Sequence, residues 1–408
     1  MKKIILVLIN LLVLMACSTD DKATETSVEE HPQGTFGYDL GFLQKQDSNL
    51  VVLANLDRTA QIIVSAKYQG KVFTSTADGL SGRSFGWVNY KAFSAEKDEH
   101  MNGYGGENRL WLGPEGAQFS LFFKPGASME FENWHTPAAF DSEAWNIVSK
   151  NRNEVVMEKA MNLINYAGTN LNLKVERAVR LMNKDQINEL LGADLQQSNS
   201  VAYSTENTLI NTGPEAWNEQ TGAPCLWLLD MFAPSSQTTI VIPYEKDAKG
   251  KVATTDYFGQ IPPDRVTYKE GTLYFKADGK SRGKLGIPPQ RAREIAGSYD
   301  AANKVLTLTV FNVDREGTYL NQEWKLVDEP LIGDAVNAYN DGPLDDGSQM
   351  GPFYELESVS PAAFLRPGEK LTHHHTVIHL TGSTSELDRI ARRTLGVSLE
   401  EIQNAFGE

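Results

Sequence analysis

The chain has 408 residues, with 53 Asp and Glu against 38 Lys and Arg, a formal net charge of −15, and only two cysteines. A chain this acidic lacks the basic patch that nucleic-acid binding requires, so no nucleic-acid partner is expected. One cysteine, Cys17, lies in an N-terminal leader pattern, which leaves Cys225 as the only thiol of the remainder and no intrachain disulfide there.

Lys2 and Lys3 precede an apolar run from Ile4 to Ala16, broken only by Asn10. The run is too short to span a bilayer, which takes ~20 apolar residues, and reads as a signal peptide over 1–16. Its end, Leu14-Met15-Ala16-Cys17, resembles a bacterial lipobox, which implies that Cys17 becomes the lipidated first residue. Residues 17–33 open with Ser18-Thr19-Asp20-Asp21, lack aromatic residues and read as a flexible tether. Acidic residues just after the cysteine resemble the surface-export signal of Bacteroidetes lipoproteins. The expected address is the cell envelope, lipid-anchored to the outer membrane through Cys17, on either its periplasmic or its outer side.

Residues 34–408 contain no linker and are expected to form one domain with ample core. Alternating segments predict strands at Val51–Leu56, Gln61–Tyr68, Leu173–Leu181, Thr238–Tyr244, Thr272–Lys276 and Lys304–Val313. Gly113-Pro114-Glu115-Gly116 has type I turn chemistry, and the segments flanking it predict a β-hairpin across 103–126. Its first strand would put Glu107, Arg109 and Trp111 on one face. Helices are few. Asn183–Leu191 has Asn183 as N-cap and Gly192 as stop. Ser385 is expected to cap a helix ending at Gly396, and Ser398 with Glu401 makes a capping box. Many strands, few helices and no break indicate a large antiparallel sandwich. Cys225, in Pro224-Cys225-Leu226-Trp227, reads as a buried structural residue.

Four groups carry candidate chemistry. Glu107, Arg109 and Trp111, an acid, a guanidinium and an indole on one strand face, could grip a polar ligand that has an apolar side, with Asn108 and Leu110 pointing the other way. Arg177 stands on the otherwise apolar face of Leu173, Val175, Val179 and Leu181 and needs a partner or a ligand. Glu355 and Glu357 share a strand face with Phe353, about 7 Å apart. Their repulsion tends to raise one pKa, as acid–base sites require. His373, His375 and His379 project to one side of a strand, where i and i+2 histidines can chelate zinc. No closing ligand set stands out, so hydrogen-bonding histidines in a cleft are preferred and neither metal nor cofactor is expected. Trp134 and His135, before a proline in Phe131-Glu132-Asn133-Trp134-His135, suit a binding loop.

The stretch from Leu356, LESVSPAAFLRPGEKLTHHHT, resembles the C-terminal end of galactose mutarotases (aldose 1-epimerases). A strand glutamate in a Leu-Glu motif, a Pro-Gly-Glu turn (here Leu365-Arg366-Pro367-Gly368-Glu369) and a final His- and Thr-rich strand follow in the family's order. Asn108-Arg109 resembles its Asn-Arg pair. The resemblance implies a β-supersandwich of antiparallel sheets with a few short helices and a sugar cleft on one concave face. It makes Glu357 the general base and Arg109 a sugar-binding residue. The family's mid-chain Asn-His acid is absent, Asn211-Thr212-Gly213-Pro214 standing nearest. His135, His373 or His375 would then be the acid partner, and Asn108, Trp111, Trp134, Arg177 and Glu355 would complete the substrate site. The chain also resembles a group of Bacteroidetes lipoproteins of unassigned activity, often carried with polysaccharide-degrading systems. Two functions stay open. One is an epimerase-like or other sugar-active enzyme, whether or not it uses a metal at His373 and His375. The other is a non-catalytic glycan-binding lipoprotein in glycan utilisation.

Overall fold

Strands built on period-two alternation dominate the computed structural model, which describes residues 31–195 and 198–407. The leader, Cys17 and most of the tether lie outside the described residues. In chain order the elements begin with α1 (Phe36–Gln46), β1 (Val51–Ala54), β2 (Gln61–Ser65), β3 (Lys71–Thr76), β4 (Arg109–Gly113) and α2 (Ala138–Asp141). Next come β5 (Asn146–Lys150), β6 (Glu154–Ile164), β7 (Asn170–Leu181), α3 (Lys184–Leu191), β8 (Asn199–Asn211), β9 (Cys225–Phe232) and β10 (Thr238–Pro243). The chain continues through β11 (Val266–Lys269), β12 (Thr272–Lys276), β13 (Gly283–Ile287), β14 (Ile295–Asp300), β15 (Val305–Phe311) and β16 (Val336–Asn340). It closes with β17 (Tyr354–Val359), β18 (Lys370–Thr381), α4 (Thr384–Thr394) and α5 (Leu399–Gln403).

The sheets have the orders β1-β2-β3, β11-β12-β10-β14-β15-β18-β8-β7-β6-β5 and β13-β16-β17-β9-β4. Alternation decides what each face of the ten-stranded sheet buries. On β7, Leu171, Leu173, Val175, Arg177 and Val179 are buried toward the five-stranded sheet, while Asn172, Lys174, Glu176 and Arg180 are not. On β18, Val377 joins that same core, whereas Ile378 and Leu380 point oppositely, against Leu387, Ile390, Leu395 and Leu399 of the C-terminal helices. Each such fully buried aliphatic side chain contributes about 1.5–3 kcal/mol. The fold is therefore a stacked, mainly antiparallel β-structure with short helices closing its outer side.

Local expectations held where capping chemistry is unambiguous. Asn183 makes a full capping box with Gln186, and Gly192 ends α3 at φ 57°. Ser398 and Glu401 cap α5. The cap of α4 is Ser383, not Ser385; its hydroxyl accepts from the Glu386 N–H, two residues earlier than the apolar spacing indicated. The helix α1 was not anticipated, because Gly37 and Gly41 lower its propensity; it is fixed by the Thr35 cap and by burying Phe36 and Leu43 on Ile63 and Phe73.

The hairpin at 103–126 does not form. β4 pairs with β9 instead, and residues 114–124 run as bends and turns. Ala117 takes a left-handed φ of 56°, and its N–H donates to the Glu323 carbonyl 2.9 Å away, which turns the chain off the strand. Phe119, Leu121, Phe122 and Phe123 are all buried, so this segment needs no exposed second face.

Between the two large sheets lies a polar network. Arg177, fully buried, donates to Asn207 Oδ1 at 2.6 Å and to the Asn108 side-chain oxygen, and Asn108 donates to Asp230 Oδ1 at 2.5 Å. The other Asp230 oxygen meets His375 Nε2 at 2.7 Å. Ser358 Oγ bridges His375 Nδ1 and His373 Nε2, each at 2.8 Å. Burial lowers the Arg177 guanidinium to about 10 and the His373 imidazole to about 3. Removing Arg177 leaves two buried amide oxygens unmatched and Asp230 without its relay to a cation. Arg177→Met is expected to cost roughly 3–5 kcal/mol in urea denaturation. A loss below about 1 kcal/mol would show that the network is not a stabilising unit.

Candidate functional site

The outer face of the five-stranded sheet is set by register. Arg109 pairs with Leu229 and Trp111 with Trp227 across β4 and β9. Leu229 faces Glu357 and Met231 faces Glu355 across β9 and β17. Glu357 and Glu355 in turn oppose Asn337 and Tyr339 on β16, and Tyr339 opposes Lys284 on β13. Directly paired residues share a face, so Arg109, Trp111, Trp227, Glu355, Glu357 and Lys284 project together. Arg109 and Glu357 stand two strands apart, roughly 10 Å at the backbone.

Two crossed ion pairs organise this face. Arg109 Nη2 donates to Glu355 Oε1 at 2.7 Å, both side chains under a tenth exposed. Lys284 Nζ lies 3.1 Å from Glu357 Oε2, and the Trp227 indole N–H donates to that same oxygen at 2.7 Å. The cations also sit over aromatic faces, Arg109 4.7 Å from the Trp111 ring centre and Lys284 4.4 Å from that of Trp227. Burial pushes the Glu355 carboxyl up to about 7; Arg109 and Lys284 pull it back and Glu357 adds to the rise. Burial pulls the Lys284 ammonium down, but attraction to Glu357, Glu115 and Glu355 outweighs it and the pKa stands above the ordinary value. Burial also raises the Glu115 carboxyl.

Above these pairs is a cavity of about 180 Å³, walled by Trp111, Trp134, Trp227 and Trp324 and by Arg109, Arg282, Lys284, Glu115 and Glu355. Trp134 stacks on Trp324 at 5.6 Å, which packs its loop against the segment between β15 and β16. Several buried polar atoms here have no partner: Arg109 Nε, Trp111 Nε1, Trp134 Nε1 and Glu357 Oε1.

The expected site residues divide. Arg109, Trp111, Trp134 and Glu355 meet at the cavity. Glu357 is on the same face, but its side chain is fully buried beneath Trp227 and Lys284 and does not line the cavity. The carboxyls that line the cavity are those of Glu355 and Glu115. His373 and His375 are on the far side of β17, bonded through Ser358, the neighbour of Glu357 that alternation turns inward. Asn108 and Arg177 belong to that same inter-sheet network. His135 is at the surface, its Nδ1 2.9 Å from the Glu99 carbonyl and its ring stacked on His100. Glu107 does not join Arg109; it meets Ser75 and His379 between the sheets. Among the described residues no group of three or more His, Cys, Asp or Glu is placed to hold a metal ion, and nothing favours the metal-dependent alternative. Cys225 is buried, its thiol pushed up by burial to about 12, in keeping with a structural role.

Sequence reasoning missed Lys284, Arg282, Trp227, Trp324 and Glu115. A lysine inside the apolar stretch Gly283-Lys284-Leu285-Gly286-Ile287 was the available signal. Trp227 read as core beside Cys225, and Glu115 as a turn residue.

The raised Glu355 carboxyl has a consequence for stability. Its folded pKa of about 7 exceeds the ordinary 4.5, so between these values the native state holds a proton that the unfolded chain has released. This contribution is fully present below pH ~4.5 and is lost as pH rises through ~7, on the order of a few kcal/mol. Urea denaturation from pH 5 to 7.5 is expected to show the wild type losing stability relative to Glu355→Gln. Parallel curves for the two proteins would contradict the assignment.

Comparison with solved structures places the fold. A provisionally named aldose 1-epimerase from Escherichia coli K12 is similar over 81% of this chain and 98% of its own, at 12% identity and a TM-score of 0.51. A galactose mutarotase-like protein from Lactobacillus casei ATCC 334 is similar over 81% of this chain and 100% of its own, at 10% identity and a TM-score of 0.50. At such identities the likeness speaks for the fold, which is galactose mutarotase-like. No curated protein sequence matches the chain. Over residues 34–406 the chain belongs to the family of unknown function DUF6786.

Proposed function

We propose that the protein is a cell-envelope lipoprotein that binds carbohydrate in the cavity above the five-stranded sheet and serves glycan utilisation. The observation that carries this reading is the convergence of Arg109, Glu355 and Lys284 with four indoles on one small cavity. A sugar offers hydroxyls that match charged hydrogen-bonding partners and C–H faces that match aromatic planes. The unmatched Arg109 Nε and the indole N–H groups of Trp111 and Trp134 are donors for its oxygens. At about 180 Å³ the cavity is below the roughly 300–1,000 Å³ of sites for drug-sized ligands, which suits one ring.

A second reading, proton transfer at the bound sugar, is favoured by the place of the Glu355 carboxyl in the cavity wall together with Lys284. A carboxyl poised at about 7 can give or take a proton at neutral pH. Glu355 would be that group, with Lys284 as the neighbouring donor. Glu357 then acts from beneath, as the anion that holds Lys284 in place. This replaces the histidine partner expected from the sequence, since no described histidine lines the cavity.

Calorimetry against a panel of monosaccharides, with a polarimetric assay of anomer exchange, tests both readings. Arg109→Ala is expected to weaken binding at least tenfold, about 1.4 kcal/mol. It also destabilises the fold by leaving Glu355 buried without its cation. Glu355→Gln should keep binding within about tenfold and abolish any exchange. Wild-type protein that binds no sugar would sink the first reading; exchange that survives Glu355→Gln would sink the second.

The envelope address rests on the lipobox-like Leu14-Met15-Ala16-Cys17 and the polar stretch after it. Mass spectrometry of membrane-extracted protein is expected to find Met1–Ala16 removed and a diacylated Cys17. An unmodified Cys17 in that fraction would end the proposal.

A further inference from the structure

A larger cavity, about 600 Å³, adjoins the first and has no role in the reading so far. The two share Met350, and their aromatic walls touch: Trp87 on the larger side stacks on Phe353 of the smaller, ring centres 4.7 Å apart. The Trp87 segment is laid along the same sheet. Its N–H donates to the Met231 carbonyl at 3.0 Å, and Gly86 bridges to Phe232 at the end of β9. The floor of the larger cavity thus continues the strand that carries Trp227 in the smaller one.

The segment between the cavities is held in place. Gly351 N–H donates to Asp341 Oδ2 and the Gln349 side chain to the Gly279 carbonyl, each at 2.8 Å. The larger cavity is polar at its edges, with Arg83, Asn89 and Lys91, and carries the half-buried indole of Trp87. Its acid, Asp39, is already committed: Ser84 donates to one oxygen and Tyr90 to the other. The Asn89 amide donates to the Gly103 carbonyl at 2.8 Å and Arg83 lies 3.9 Å from Asp300, so what is left to a ligand is the Trp87 indole, the Lys91 ammonium and the remaining N–H groups of Arg83, the kind of pairing that suits the first cavity to a sugar ring. The smaller cavity, at about 180 Å³, is sized for one ring, whereas the larger, at about 600 Å³, lies within the size range of extended ligands.

We propose that the Trp87 cavity is a second saccharide subsite, so that the ligand is an oligosaccharide of two or more rings lying across Met350; this rests on the carbohydrate reading of the first cavity. One ring sits among the indoles over Arg109 and Glu355, and the next against Trp87.

Calorimetry with matched probes tests it: glucose with cellobiose, galactose with β-1,4-galactobiose, mannose with β-1,4-mannobiose. At least one disaccharide is expected to bind roughly tenfold or more tightly than its monosaccharide. Trp87→Ala removes that gain and leaves the monosaccharide within about twofold. If Trp87→Ala disturbs folding, the pair Arg83→Ala and Lys91→Ala, whose side chains reach solvent, is expected to reduce the same gain. Monosaccharide binding with no gain in any disaccharide, or a gain that survives the variants, overturns the second subsite and leaves the first standing. Binding of no sugar of either length overturns the carbohydrate reading and this inference with it.

Discussion

Four charges buried on one sheet face constrain everything around them. Glu355 and Glu357 sit two residues apart on β17, and neither carboxylate could stay there alone, because desolvating a lone charge costs several kcal/mol. Arg109 answers one from β4 and Lys284 the other from β13, so the outer strands of the five-stranded sheet are tied to its centre. The pairs do not neutralise the site evenly. Glu357 receives both an ammonium and an indole N–H on one oxygen, while Glu355 has a single guanidinium and a pKa that burial raises. Different surroundings thus divide two chemically identical side chains: Glu357 is held beneath the cavity by an ammonium and an indole, and Glu355, at the cavity wall, has its pKa raised to about 7.

The pleat keeps this outer site apart from an equally polar interior. Glu357 faces the cavity side and Ser358, its neighbour, faces the ten-stranded sheet, where it joins His373 and His375 to Asp230 and, through Asn108, to Arg177. One residue of register separates the two systems. The inner network, apart from Arg177 Nε, is matched among its named members and reads as a device for locking the sheets in one alignment. On the outer face, polar atoms stay unmatched around a cavity.

Much of the fold was legible because alternation and capping are local signals. The strand at Leu173–Leu181, the Asn183 cap and the Ser398 capping box need only near neighbours to be read. The hairpin at 103–126 misled because turn chemistry at Gly113-Pro114-Glu115-Gly116 says nothing of which strand a flank will pair with, and β9 lies more than a hundred residues away. The site was half legible for the same reason. Arg109 read as a residue that grips a ligand and Glu355 as one of two repelling glutamates; that they pair with each other depends on the register of β4, β9 and β17. The histidines were distinctive in composition, but their side of the sheet depends on which neighbour covers it. Lys284 stood out only as a charge in an apolar stretch and Trp227 read as core; the register of β13, β16, β17 and β9 is what brings them to Glu357.

The central claim is that the indole-lined cavity over Arg109 and Glu355 takes a sugar ring. Four tryptophans line it, so their emission reports occupancy directly. Titrating the purified protein with the monosaccharides and disaccharides named above should give a saturable change in tryptophan fluorescence for at least one of them, abolished in Arg109→Ala. A spectrum that no saccharide changes, or a change that Arg109→Ala leaves intact, would contradict the account.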